Sequence, residues 1–201
     1  MVLTTPVTVS GAGPSTVADF VVEAGDQVPF TLAWYASHEQ APRESSAVNA
    51  VKRTETWWRK WSKQCTYVGE SRDLVMRSLI TLKALTYWPT GGIVAAPTTS
   101  LPEQLGGVRN WDYRYCWLRD AAFVVEALRR LSHLAEGEAF VRFLRNVAEG
   151  GPLQPVYGIG GERDLPEERL DHLSGFAGSR PVRIGNAAYL QTQHDLMGEM
   201  V

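Results

Sequence analysis

Residues 109–122, RNWDYRYCWLRDAA, set Trp111, Tyr113, Tyr115 and Trp117 in strict alternation with Asp112, Arg114 and Cys116, then change character at Arg119-Asp120. Period two over 111–117 predicts an extended backbone with all four rings on one side and the intervening polar groups on the other. Asp120 stands at the start of a predicted helix, where free amides and the helix dipole favour a negative charge. The strand-like run thus delivers rings, carboxylates and guanidiniums to one helix N-terminus. Such a set suits a sugar: aromatic faces stack on the C–H faces of a pyranose, and fixed Asp and Arg groups bridge neighbouring hydroxyls. The spacing is equally compatible with rings in a core and Asp–Arg pairs acting as loop staples.

This run closes a connection of nearly thirty residues, 90–117, in a chain whose other helix connections look short, and long ordered loops tend to carry function. Upstream of it, SRDLVMRSLITLKALTYW puts Leu74, Val75, Ser78, Leu79, Leu82 and Leu85 on one stripe, a helix ended by Pro89 and Gly91-Gly92. Downstream, RDAAFVVEALRRLSHL turns Phe123, Val124, Ala127, Leu128 and Leu131 inward. In EGEAFVRFLRNVAEG the inward set is Phe140, Phe143, Leu144 and Val147. A last helix is expected from Gly185 to the chain end, and its lack of a terminator is what a truncation looks like.

The opening 37 residues alternate differently. Phe20 and Val22, then Val28, Phe30, Leu32 and Trp34, follow period two around the turn signal AGDQ, so two or three strands are expected. They are too few to stand alone. The polar segment HEQAPRESSAVNA leads to a helix capped by Ser45 or Ser46, with Val48, Val51, Trp58 and Trp61 at helical spacing.

Composition narrows the partners. The chain has 201 residues, 44% hydrophobic and 21% charged, an ordinary globular balance. Twenty basic against twenty-two acidic residues give a net charge of −2, no field for nucleic acid or an anionic membrane. No apolar run reaches the roughly 20 residues of a membrane span, and MVLTTPVTVS lacks the features of a signal peptide, so a cytoplasmic protein is expected. Without an export signal, Cys65 and Cys116 are expected as buried free thiols. His38, His133, His172 and His194 are scattered without ligand spacing, so no metal is expected. Nor is any cofactor, since there is no nucleophile elbow, P-loop or dinucleotide fingerprint.

The segments LITLKALTY, GGIVAAPTTS, PTTSLPEQLGGVRNWDYRYCWLRDAAF and GSRPVRIGNAA closely resemble the bacterial branch of glycoside hydrolase family 15, which contains glucoamylases, glucodextranases and trehalases. The resemblance runs from about residue 20 onward. It implies a mixed fold: C-terminal strands of a β-sandwich over 1–40, a linker with a helix over 41–70, and the first helices of an incomplete (α/α)6 toroid over 71–201. It further implies that Arg119 and Asp120 hold glucose hydroxyls, that Tyr113 lies beside the developing oxocarbenium ion, and that Trp117 shares the same wall. Arg180 and Arg183, in a stretch resembling RPxRxG, are implied near the pocket, a structural role for them being as compatible.

The family inverts configuration with two glutamates on later helix-to-helix loops. The acid loop, which reads like DEGIWE, has no counterpart in this chain, so no catalytic residue is assigned. Asp112 and Asp120 do not replace that pair, because Arg119 and the helix N-terminus favour an anion at Asp120, whereas a general acid must hold its proton. The expected function is therefore that of a fragment of an inverting hydrolase of α-glucosides, α-glucan or trehalose, inactive alone. A non-catalytic carbohydrate-binding protein and a single-strand nucleic-acid binder are the alternatives.

Overall fold

The computed structural model describes residues 1–40 and 46–194, together with Gly198. The chain divides into two compact units, Met1–Lys63 and Gln64–Val201.

In the first unit, β1 (Val2–Thr4) pairs antiparallel with β4 (Thr31–Ala33), in the register Val2 opposite Ala33. A separate hairpin joins β2 (Ser10–Ala12) to β3 (Ser15–Val17), with Gly13 at φ 62°. The AGDQ turn forms, since the Asp26 amide donates to the Glu23 carbonyl at 3.1 Å and the Asp26 carboxylate accepts from the Glu23 amide at 2.9 Å. Of the strands expected on either side of it, the following one forms in part, as β4, whereas 20–22 lies in no strand. Asp26 satisfies locally a backbone donor that a ladder would otherwise use. Phe20 and Phe30 approach with ring centroids 5.6 Å apart, yet no ladder joins their segments. The period-two apolar residues Val22, Phe30, Leu32 and Trp34 consequently remain exposed.

Helix α1 (Ala47–Ser62) starts where Ser46 Oγ accepts from the Asn49 amide at 3.4 Å, which selects Ser46 as the cap. Ser45 and the rest of 41–45 lie outside the described residues. Trp57, Trp58 and Trp61 form an edge-to-face series along its last turns, and Trp61 alone of the three is buried.

The second unit is built on helices. Helix α2 (Arg72–Ala84) ends before Pro89, and the chain reverses at Gly91. That glycine sits at φ 83°, and a Cβ there would overlap the Ala139 carbonyl, so no other residue fits without displacing the neighbouring helix. After the long connection, β5 (Cys116–Trp117) runs directly into α3 (Leu118–Arg130), followed by α4 (Leu134–Glu149). A three-residue link with Ser132 at φ 69° joins α3 and α4 into a helical hairpin. β5 pairs antiparallel with β6 (Val156–Tyr157), and β7 (Glu168–Arg169) with β8 (Arg183–Ile184).

The core of this unit gathers Ile93, Cys116, Leu118, Ala121, Phe140, Phe143, Val147 and Tyr157. Phe143 stacks near Phe140 at 6.0 Å and meets the Tyr157 ring edge-on at 6.3 Å. Both cysteines are buried and free, and burial pushes the Cys116 thiol up to about 12, an unreactive group. The helix expected from Gly185 onward differs. Its described part is a short 3-10 turn, Ala187–Leu190, capped by Asn186 Oδ1 on the Ala188 amide at 3.1 Å. Gln191 is already extended, and the expected helix beyond His194 lies, Gly198 apart, outside the described residues. The fold is therefore mixed, with four helices and four two-stranded antiparallel sheets among the described residues, none closed. No described helix is long and apolar enough to cross a membrane.

Candidate functional site

The connection 90–117 folds back on itself. Its two arms run antiparallel, with Ala95 N to Tyr115 O at 3.0 Å, Ala96 N to Tyr113 O at 2.9 Å and Ser100 N to Trp111 O at 2.9 Å. These bonds hold 111–117 extended, so the alternation read from sequence becomes two faces. Cys116 and Asp112 point inward and are fully buried, while Trp111, Tyr113 and Trp117 line a cavity of about 470 Å³. Tyr115 shares their parity but packs instead against Val156, Leu165 and Ala188.

On that face Asp112 and Cys116 are buried, while Arg114, of the same parity, is exposed. Asp112 accepts from Arg114 through both oxygens, at 2.9 and 2.7 Å, and from the Arg114 amide at 3.1 Å. Its carboxylate is used up as a loop staple and faces no cavity.

Arg119 and Asp120 enter the cavity from the first turn of α3. Arg119 Nη2 lies 3.4 Å from Asp120 Oδ2, its guanidinium sits 5.4 Å from the Trp117 ring centre, and Nη1 donates to Gln193 Oε1 at 3.2 Å. Two further carboxylates line the same space, Glu103 from the same connection and Glu167 from a distant loop. Glu103 pairs with Arg109 at 3.0 Å across a loop closed by Glu103 N to Arg109 O. That loop is tied to 179–181 by Gly106 N to Ser179 Oγ at 2.9 Å and Asn110 Nδ2 to Pro181 O at 3.3 Å. Glu167 pairs with Arg183 at 3.0 Å.

Asn186, Ala187, Ala188 and Gln191 complete the lining. Gly185, at φ 81°, makes this possible: a Cβ there would strike the Pro166 carbonyl, so glycine lets the chain at 185 lie against the segment before β7 that carries Glu167. Asn186 Nδ2 donates to the Asp112 carbonyl at 3.0 Å and locks the turn to the aromatic run.

Of the residues expected from sequence, Tyr113, Trp117, Arg119 and Asp120 are thus brought together. Arg180 and Arg183 are not in the lining. Arg180 is exposed, and Arg183 is buried behind Trp111 and Glu167. Trp111 carried a usable signal, the same parity as Tyr113. Glu103 lies in the same long connection and is held by its local pairing with Arg109, whereas Glu167 carried no signal, since only long-range contacts bring it here.

Electrostatically, each cavity carboxylate stands beside an arginine, which disposes all three to accept hydrogen bonds from a guest. Burial, then the Glu103 carboxylate, raises the Tyr113 phenol above its ordinary value, so it remains a protonated donor at neutral pH. Trp117 Nε1 and Asp120 Oδ2 are buried without a hydrogen-bond partner among the described residues. No cluster of His, Cys, Asp and Glu among those residues has the makings of a metal site.

The sequence pattern of "Glycosyl hydrolases family 15" matches residues 69–201, which include every residue of this cavity. The chain belongs to that family. A trehalase of Mycolicibacterium smegmatis is 43% identical over 205 residues, covering 99% of this chain and 30% of its own length. Trehalases of Mycobacterium tuberculosis and Thermoplasma acidophilum are 42% and 41% identical, covering 99% and 92% of this chain. The family 15 chain thus spans about a third of the length of the curated relatives it matches. No solved structure matches it.

Proposed function

We propose that this chain carries part of the glucose-binding subsite of an inverting α-glucoside hydrolase, with trehalose as the substrate. The observation that carries this reading is the cavity itself, with three rings and three arginine-paired carboxylates around about 470 Å³. Trp111 and Trp117 offer stacking faces to a pyranose, Asp120 and Arg119 bridge adjacent hydroxyls, and Tyr113 donates from the wall. Trehalose is favoured over α-glucan because the relatives above are trehalases.

Inverting hydrolysis needs an acid that holds its proton and a base across the bond, about 6.5–9.5 Å apart. The cavity carboxylates all neighbour arginines, an arrangement suited to binding rather than proton donation. The acid and base are therefore assigned outside the described residues, and the chain alone is expected to bind without cleaving. The strands and α1 correspond in this reading to the end of a β-sandwich and a linker, and α2–α4 to the start of an (α/α)6 toroid. The protein acts in the cytoplasm and needs no cofactor.

Calorimetric titration of the chain with trehalose, cellobiose and a short oligonucleotide tests the reading. Heat with trehalose alone supports it, whereas no heat with trehalose, or equal heat with the oligonucleotide, overturns it.

A further inference from the structure

Arg183 has the contacts of a residue that organises the cavity without entering it. Its side chain is only 7% exposed, and Nη1 donates to the carbonyls of Val108 at 3.0 Å and Asn110 at 3.1 Å. The guanidinium lies 4.5 Å from the centre of the Trp111 ring. Its main chain is clamped as well: the amide donates to Ser100 Oγ at 2.7 Å, and the carbonyl accepts from Thr99 Oγ1 at 2.6 Å. Ser100 adopts φ 58° to make this clamp, a left-handed conformation that only strong local bonding sustains in a serine.

The remaining contact is to Glu167, a cavity wall residue, at 3.0 Å between Nε and Oε1. The Nε hydrogen is not aligned on that oxygen, so the contact is an ion pair without a hydrogen bond. Glu167 makes no other bond among the described residues. A carboxylate held by charge, with its lone pairs uncommitted and facing a cavity, is an acceptor waiting for a donor.

We propose that Glu167 accepts a hydrogen bond from one hydroxyl of the bound sugar, and that Arg183 is the positioning residue that fixes both Glu167 and the Trp111 stacking face. This rests on the glucoside reading of the cavity and adds a recognition element to it. Arg183 acts through two neighbours, so its loss should blur selection among hydroxyls as well as weaken binding.

The test measures trehalose and its monodeoxy analogues against the 201-residue chain by tryptophan emission, for wild type, Glu167→Ala, Glu167→Gln and Arg183→Lys. In wild type one deoxy position is expected to weaken binding by about tenfold to a hundredfold. Glu167→Ala should abolish the penalty at that position and leave penalties at the others. Glu167→Gln should restore part of it, and Arg183→Lys should reduce the same penalty while shifting Trp111 emission. A purely structural role would instead lower affinity for every analogue evenly. If Arg183→Lys fails to fold, the Glu167 variants, altered at the cavity wall, decide alone. A wild type that binds no glucoside overturns the glucoside reading and this proposal with it. A wild type that binds, with an unchanged penalty pattern in Glu167→Ala, overturns this proposal only.

Discussion

Asp120 shows how one residue acquires its role from two neighbours. Asp120 lies in the first turn of α3, where the helix dipole favours a carboxylate, and Arg119 stands 3.4 Å away. Asp120→Ala should remove bonds to a sugar hydroxyl worth about 1.5–3 kcal/mol, lowering trehalose affinity roughly tenfold to a hundredfold with the melting temperature unchanged. Equal affinity in a folded variant would remove Asp120 from the site. Because Tyr113 is shifted upward, the midpoint of its deprotonation lies above the ordinary phenol value. At this scale the site was legible where parity governs: Trp111, Tyr113 and Trp117 lie on one face, as alternation requires. It was not legible for Glu167, more than forty residues from any of them in sequence; Arg183, expected near the pocket by resemblance, lies buried behind Trp111 and Glu167 rather than in the lining.

Among the elements, α4 follows its periodicity throughout, whereas α2 and α3 do so in part, since Leu74 and Phe123, expected inward, are exposed. Phe140, Phe143 and Val147 are buried as their spacing predicts, because α4 has a partner helix to cover that face. Of the two runs around AGDQ, Thr31–Ala33 finds a partner in β1, whereas 20–22 has none among the described residues and joins no ladder. A feature of no helical stripe also matters: Lys83 on α2 and Glu136 on α4 form a buried ion pair at 2.8 Å beside fully buried His133. Glu136→Gln should remove the carboxylate that compensates a buried ammonium, costing about 3–5 kcal/mol by chemical denaturation. Burial, outweighing the Glu136 carboxylate, holds His133 below its ordinary value, with Lys83 acting in the same direction as burial. The unfolded chain then binds the proton more tightly, so stability is full above about pH 6.5 and falls as pH drops through the folded value. Melting curves of His133→Gln should lose part of that acid sensitivity; identical curves for variant and wild type would exclude His133 as its source.

At the scale of the whole molecule, the second unit has a core, yet its helices also turn apolar residues to solvent. Leu74 on α2 is 73% exposed and Phe123 on α3 is 66% exposed, while Leu79 and Leu128 on the same helices are buried. Exposed apolar faces of this kind bind hydrophobic dyes and promote association. The chain should therefore enhance dye fluorescence at neutral pH, and a sharp monomeric transition without dye binding would show that these faces are tolerated. On the function proposed above, the cavity binds an α-glucoside without cleaving it. Proton NMR of trehalose mixed with the 201-residue chain tests both halves at once, through saturation transfer to the sugar and the anomeric signals of free glucose. Transfer to the pyranose protons, lost in Asp120→Ala, and no glucose over prolonged incubation are the expected results; absent transfer, or glucose accumulating above the control, would contradict binding without cleavage.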